Sequence, residues 1–296
     1  MSQIKEPIAI IVHGGAGNIP PERYELAQTG CKEAAAIGWE ILMAGGSALD
    51  AVEAAVKVME DNPAFNAGRG SVLNAAGAVE MDAGIMDGAT GRAGAVTLIR
   101  HFRHPISLAR AVMSSTEHLI LGGEGAEAFA RDQGFEVVSN EFFITEHRLQ
   151  QYHKRLASAT ADTVGAVALD RGGHVAAANS TGGVAFKLPG RIGDSPIPGA
   201  GFYADDRFGA VATTGQGEHI IQAGLSFLIM QLLAEGQSAP EAATGVTALF
   251  LDSVPGGNAG WIVVDKLGRV GVGHTSRNIS YAWRTLTIND FVTGVE

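Results

Sequence analysis

The chain has 296 residues, 46% of them hydrophobic, which gives enough apolar material for one large domain or two ordinary ones. Its formal net charge of -10 argues against nucleic acid or an anionic membrane as the main partner, because both recruit clustered Lys and Arg. The single cysteine, Cys31, excludes an intrachain disulfide and a cysteine-based zinc site.

The first residues, MSQIKEPIAIIVHGG, lack the apolar core and small-residue cleavage site of a signal peptide, and no apolar run reaches the ~20 residues of a membrane span. The expectation is a soluble cytoplasmic protein. Ile8–Val12 is a short, continuous apolar run that reads as a buried strand, ending in the glycine turn His13–Gly17. From Pro21 to Ala44 the spacing is helical, with Leu26, Ala34, Ile37, Ile41 and Leu42 on one side. Gly45 and Gly46 stop that helix. Ser47 then N-caps a second one, with Asp50 in its first turn and an apolar stripe of Leu49, Val52, Ala55, Val56 and Met59.

Residues 62–92 are rich in glycine and turn formers, with strand-like pieces at Val79, Met81, Gly84 and Ile85. A strand follows at Ala93–Ile99, then helices at Ile106–Ser115 and Glu124–Gln133. Beyond a polar helix-and-loop stretch, Glu141–Asp162, the reading is mostly strand: Val164–Leu169, Val175–Ala178 and Gly209–Thr213. A long helix is expected over Glu218–Glu235 and a shorter one over Ala239–Phe250; the strands Gly260–Val264 and Val270–Val272 close the core. Several strand pairs are too close for parallel crossovers, which favours an α+β architecture with antiparallel strands. No composition break separates two domains, so residues 1–296 read as one.

Thr163 is the most informative residue. It opens the buried strand TVGAVALD directly after the polar stretch. Cleavage before it would free an α-amine whose pKa, roughly 7.7–8.0, lets it take the hydroxyl proton near neutral pH. Nucleophile and base would then reside in one residue. Downstream lie Ser180–Gly183 (STGG), Pro189–Asp205 (PGRIGDSPIPGAGFYAD) and Thr213–Glu218 (TTGQGE). Arg191 and Asp194 stand three residues apart in a glycine- and proline-shaped loop. Such a pair can hold a zwitterion, guanidinium to α-carboxylate and carboxylate to α-ammonium, or it can form a surface salt bridge with itself.

At these residues the chain resembles the plant-type L-asparaginase/isoaspartyl peptidase family of N-terminal-nucleophile hydrolases. The resemblance spans nearly the whole chain, through VHGGAG (Val12–Gly17), GGSALDAVEAAV (Gly45–Val56), NPAFNAGRGSVLN (Asn62–Asn74), EMDAGIMDG (Glu80–Gly88), DTVGAVALD (Asp162–Asp170), STGG, GRIGDSPIPGAG and TGQGE. It implies a four-layer αββα sandwich made as an inactive precursor, cut between Asp162 and Thr163 into associated fragments 1–162 and 163–296. It also implies that Thr163 attacks a side-chain amide or β-aspartyl bond, that Thr181 tunes it, and that Thr214 and Gly215 form the oxyanion hole. By the same resemblance Arg191 and Asp194 anchor the substrate's α-carboxylate and α-ammonium, Gly217 lines their pocket, and Asn66 sits near the nucleophile. No organic cofactor is implied. A structural sodium is, held by backbone carbonyls of Met59, Glu60, Asn62, Phe65, Ala67 and Arg69, and so is a homodimer of processed units. Gln216, Ala185 and Asn179 depart from residues common in relatives and leave substrate preference open.

Other catalytic readings fare worse. HGGAG has no G-x-S-x-G partner, no G-x-G is completed to G-x-G-x-x-G, and no Walker lysine motif occurs. His101 and His104 are spaced H-x-x-H without a third ligand nearby. Glycosylasparaginase and a taspase-like endopeptidase share the threonine nucleophile, but the HGGAG block and compact length favour an amidohydrolase acting on L-asparagine and β-aspartyl dipeptides. An uncleaved, silent binding protein on the same scaffold is the alternative from another class. Retention of both Thr163 and the Arg191/Asp194 pair speaks against it.

Overall fold

A computed structural model describes residues 7–154 and 163–296. Its strands are β1 (Ala9–Gly17), β2 (Met81–Asp87), β3 (Ala93–Ile99), β4 (Ile120–Gly122), β5 (Val164–Leu169), β6 (Val175–Thr181), β7 (Phe202–Asp205), β8 (Gly209–Gly215), β9 (Ala259–Asp265), β10 (Val270–His274), β11 (Asn278–Thr285) and β12 (Val292–Val295). The α-helices are α1 (Tyr24–Met43), α2 (Ala48–Asp61), α3 (Pro105–Ser115), α4 (Gly123–Asp132), α5 (Glu146–His153), α6 (Gly217–Ala223), α7 (Leu225–Ala234) and α8 (Ala239–Ser253).

The strands form two sheets. Eight lie in the order β12-β11-β1-β5-β6-β2-β3-β4 and four in the order β10-β9-β8-β7. Every pairing is antiparallel except β3 with β4. The larger sheet packs α1, α2 and α3 on one face, while β7, β8 and β9 of the smaller sheet pack against its central strands. The smaller sheet packs α7 and α8. Three apolar clusters fill the spaces between these elements. Ile10 and Val12 lie in the cluster with α1 and α2, whereas Ala9 and Ile11 lie in the one between the sheets. Both faces of β1 are therefore buried, which is why its sequence runs apolar without alternation. At Gly84 of β2 the sheets approach so closely that an added Cβ would collide with the Phe202 ring.

Ser47 caps α2 as the sequence suggests, its Oγ accepting the Asp50 N–H at 3.1 Å. Three expectations need correction. The core-facing side of α1 carries Cys31, Ala34, Ala35, Trp39 and Leu42, while Leu26 and Ile37 are exposed. Small residues let α1 sit tightly on β1: a Cβ at Gly38 would run into Ile10. The long helix predicted at Glu218–Glu235 is two, bent by 43° where Gly224 adopts left-handed backbone (φ 59°, ψ 46°). Nor do β9 and β10 close the core: β11, beyond them in sequence, pairs with β1 inside the larger sheet, one strand in from its β12 edge. No single helix among the described residues is long and apolar enough to cross a membrane.

Candidate active site

The site begins with a hairpin. β5 and β6 are joined by a turn in which the Asp170 carboxylate accepts the N–H groups of Gly172 (2.8 Å) and His174 (3.1 Å). This fixes the register at Leu169 opposite Val175 and, at the far end, Val164 opposite Ser180. One residue further on, Thr163 meets Thr181. The Thr163 Oγ1 lies 3.0 Å from the Thr181 Oγ1, with both residues buried. Thr181 Oγ1 also accepts the Gly183 N–H at 2.9 Å, so it is already a partial acceptor before Thr163 reaches it.

Asn66 holds that turn from the other side. Its Nδ2 donates to the Gly183 carbonyl (2.6 Å), its Oδ1 accepts the Val72 N–H (2.8 Å), and its backbone carbonyl accepts the Gly182 N–H (2.9 Å). The amide is thus committed to the loop beyond Thr181, and Asn66 is a positioning residue for that loop. A neighbouring brace comes from Glu60, whose buried carboxylate accepts the Ser180 hydroxyl at 2.6 Å and the Ile106 N–H at 3.1 Å. Burial raises the Glu60 pKa, against the opposing influence of His104 and Ser180.

The second half of the site comes from the Pro189–Asp194 loop and the end of β8. Arg191 does not pair with Asp194. Its Nε and Nη2 each donate to the Glu218 carboxylate at 2.9 Å, a side-on clamp. Asp194 is buried, with Thr213 Oγ1 3.4 Å from its Oδ2. Desolvation by burial pushes its carboxyl up to about 7, opposed chiefly by its own backbone N–H and by the Arg191 charge. The Arg191 and Asp194 side chains converge on Gly217: an added Cβ there would lie 2.8 Å from Arg191 Nη2 and 3.0 Å from Asp194 Oδ1. Thr214 and Gly215 end β8, which packs across the sheets on β5. Thr214 is fully buried, and Gly215 has φ 139° with Ala259 Cα only 2.6 Å from where a Cβ would stand, so only glycine fits.

A sequence model of a family described as Asparaginase matches residues 6–161 and 151–292. The chain belongs to the asparaginase family. It is 45% identical over 282 residues to the isoaspartyl peptidase/L-asparaginase of Danio rerio, covering 92% of this chain and 91% of that protein. Identity to the isoaspartyl peptidase/L-asparaginase of Homo sapiens is 45% over 285 residues, covering 93% and 92%. A plant-type L-asparaginase of Pyrococcus horikoshii is 44% identical over 298 residues, covering 93% and 96%.

Within this asparaginase-family site, Asp162 lies outside the described residues, so the cleavage position is described only from its Thr163 side. The Met59–Arg69 segment is a tight loop in which Asn62 N–H donates to Met59 O, Phe65 N–H to Asn62 O and Arg69 N–H to Glu60 O. The Pro63 and Phe65 carbonyl oxygens stand 2.7 and 2.6 Å from where a Gly70 Cβ would lie, so carbonyls crowd one side of the loop. Neutral oxygens with a spare lone pair suit a hard cation. Among the described residues no group of three or more His, Cys, Asp and Glu is placed to hold a metal ion.

Three residues near the site escaped the sequence reading. Ser195, next to Asp194, places its Oγ 3.5 Å from Thr163 Oγ1. Lys187 is buried beside Gly183 and donates to the Glu80 carbonyl at 2.8 Å. Glu218 clamps Arg191. Ser195 and Glu218 lay inside recognised motifs; for Glu218 its charge opposite Arg191 was the available signal, while a serine beside Asp194 carried none of its own. His13, close to a motif and given no role, is buried, and desolvation lowers its pKa to about 3, so it stays neutral.

Proposed function

We propose that this protein is an autoproteolytically activated amidohydrolase that releases L-aspartate from L-asparagine or β-aspartyl dipeptides. The observation that carries the reading is the buried Thr163 hydroxyl, at the first residue before β5, in hydrogen-bond contact with Thr181. In maturation, Thr163 Oγ1 attacks the Asp162 carbonyl, the Asp162–Thr163 C–N bond breaks to leave an ester, and the departing nitrogen, keeping its own N–H, takes up the hydroxyl proton to become the new α-amine. Water then hydrolyses the ester, giving fragments 1–162 and 163–296 that remain one folded unit.

In turnover the α-amine takes the Thr163 hydroxyl proton and Oγ1 attacks the substrate's side-chain carbonyl. The Thr214 and Gly215 region stabilises the developing oxyanion, where suitably aimed donors commonly contribute about 3–4 kcal/mol. The amine or ammonia leaves with the proton, and water completes hydrolysis. Arg191 receives the α-carboxylate on the edge that Glu218 does not occupy, ionised Asp194 receives the α-ammonium, and Gly217 leaves room for both. L-asparagine and a β-aspartyl dipeptide present the same aspartyl end to these anchors.

The packing order of helices and sheets supports the four-layer αββα arrangement of N-terminal-nucleophile hydrolases. The carbonyls of Met59, Glu60, Asn62, Phe65, Ala67 and Arg69 would hold a sodium ion, which when bound would brace the loop that carries Asn66. A higher melting temperature in sodium than in choline chloride would support that site, and equal values would remove it. A homodimer of processed units completes the reading, and the free, buried thiol of Cys31 suits a cytoplasmic setting.

Intact mass and N-terminal sequencing after incubation at neutral pH test the proposal. Two fragments, the second beginning Thr-Val-Gly-Ala, together with L-aspartate release, are expected. Thr163→Ala should remain one chain and be inactive. Processed, active Thr163→Ala protein would refute the assignment.

A further inference from the structure

The Thr163 hydroxyl has a second neighbour besides Thr181. Ser195 Oγ lies 3.5 Å away, and Ser195 is 1% exposed. Among the described residues the Ser195 hydroxyl has no other hydrogen-bond partner. A buried hydroxyl is normally satisfied by backbone or water, so one whose sole contact is a nucleophile calls for a functional account.

Its direction is fixed by the backbone. Pro196 restricts Ser195 to extended conformations. The Asp194–Ser195 backbone is also pressed from two sides. A Cβ on Gly201 would collide with Asp194 O and stand 2.8 Å from Ser195 Cα, and one on Gly84 would stand 3.2 Å from Ser195 O. The hydroxyl therefore belongs to a part of the chain with no room to shift.

The protons decide its role. Thr163 has one O–H. Thr181 Oγ1, already accepting from Gly183 N–H, lies 3.0 Å away on one side. Whether the Thr163 proton rests on that bond or has moved to the α-amine, Thr163 Oγ1 offers lone pairs to Ser195. A hydroxyl separation of 3.5 Å is long for the resting state, where O–H···O bonds run about 2.7–2.8 Å. Bonds to an ionising oxygen shorten and roughly double in strength, so this contact gains as negative charge builds on the nucleophile. An interaction stronger in the transition state than in the ground state accelerates the step.

We propose that Ser195 is a catalytic residue that donates a hydrogen bond to Thr163 Oγ1 as that oxygen loses its proton and forms the new C–O bond. Ser195 keeps its own proton throughout. The same oxygen attacks in maturation and in turnover, so Ser195 serves both. This rests on the Thr163 reading above.

The test uses the full chain with Ser195→Ala and Ser195→Cys, the thiol being nearly isosteric and a weaker donor. Processing half-time is followed by mass spectrometry, and kcat and KM for L-asparagine are measured on the fully processed fraction, with the inhibition constant of L-aspartate as a check on the anchors. Ser195→Ala is expected to slow processing and kcat about 10- to 100-fold, with KM and the L-aspartate constant within twofold of wild type. Ser195→Cys should fall between. Wild-type rates in Ser195→Ala overturn the proposal, and so does an L-aspartate constant that moves as far as kcat, which would mean that Asp194 had been displaced. If Ser195→Ala does not fold, Ser195→Cys decides: slow with normal L-aspartate binding supports it, unchanged rates overturn it. Processing needs no substrate, so a wild type that matures yet ignores L-asparagine removes the substrate reading alone. A wild type that does neither removes Thr163 and Ser195 together.

Discussion

As the proposed α-ammonium anchor, the buried Asp194 should make substrate binding pH-dependent in a calculable way. Its carboxyl is pushed up to about 7 by desolvation, yet it must be ionised to hold an α-ammonium. With that value, roughly one-tenth of the free enzyme carries the charged form at pH 6 and roughly nine-tenths at pH 8. The inhibition constant of L-aspartate, a non-reacting ligand with the same aspartyl end, should therefore fall about tenfold from pH 6 to pH 8, or about 1.4 kcal/mol. An inhibition constant is the right quantity, because kcat also reflects the Thr163 α-amine, which titrates in an overlapping range. Asp194→Asn should bind L-aspartate weakly and lose the slope. A flat wild-type profile, or an unchanged slope in Asp194→Asn, would refute the reasoning.

The same shift carries a stability consequence of opposite direction. Unfolded, an aspartate releases its proton near 3.9; folded, Asp194 keeps it to about 7. Between those values the folded state binds more protons, so stability falls as pH rises and the loss is complete above the folded value. The cost is of order a few kcal/mol. Asp194→Asn should accordingly melt higher than wild type at pH 8 and show little difference at pH 4, while binding ligand worse throughout. A variant that lost binding through general damage would melt lower at both.

Three further outcomes follow from the contacts. Gly217→Ala puts a methyl within about 3 Å of both Arg191 Nη2 and Asp194 Oδ1, and should raise KM for L-asparagine at least about tenfold while the precursor still matures. Glu218→Ala removes an exposed clamp worth at most about 1 kcal/mol, so KM should rise no more than about fivefold with kcat unchanged; a hundredfold rise would mean Glu218 contacts substrate itself. Glu60→Ala strands the buried Ser180 hydroxyl and the Ile106 N–H, costing about 2–3 kcal/mol, seen as a fall in denaturation midpoint that Glu60→Gln largely avoids.

Much of the fold could be read where one local signal dominated. Ser47 announced the α2 N-terminus because a hydroxyl cap acts within one turn. Ala93–Ile99 and Val164–Leu169 were legible as strands because they are short apolar runs bounded by turn residues. β11 was not, although Ile279, Tyr281 and Trp283 alternate with Ser280, Ala282 and Arg284 and all three sit at the inter-sheet cluster. A period-two pattern holding an arginine and a serine is easily passed over after a run of wholly apolar strands. The break at Gly224 was hidden for a different reason. Apolar spacing continues across it, and only the backbone angle reveals that the helix turns.

Within the site, the residues that sequence could name were those inside contiguous motifs. Thr163, Thr181, Arg191, Asp194 and Gly217 are each legible from their own few neighbours. What joins them is not. Thr181 reaches Thr163 because the Asp170 turn sets the hairpin register, and a one-residue slip would send the Thr181 side chain to the opposite face. Ser195 reaches the same hydroxyl only because Gly84 of one sheet and Gly201 before the other leave its backbone a single place to lie. The nucleophile is thus flanked by one hydroxyl aligned through a hairpin and another aligned through packing between sheets. Two independent constraints hold the Thr163 Oγ1 environment, so damage to one arm should slow chemistry without releasing the other.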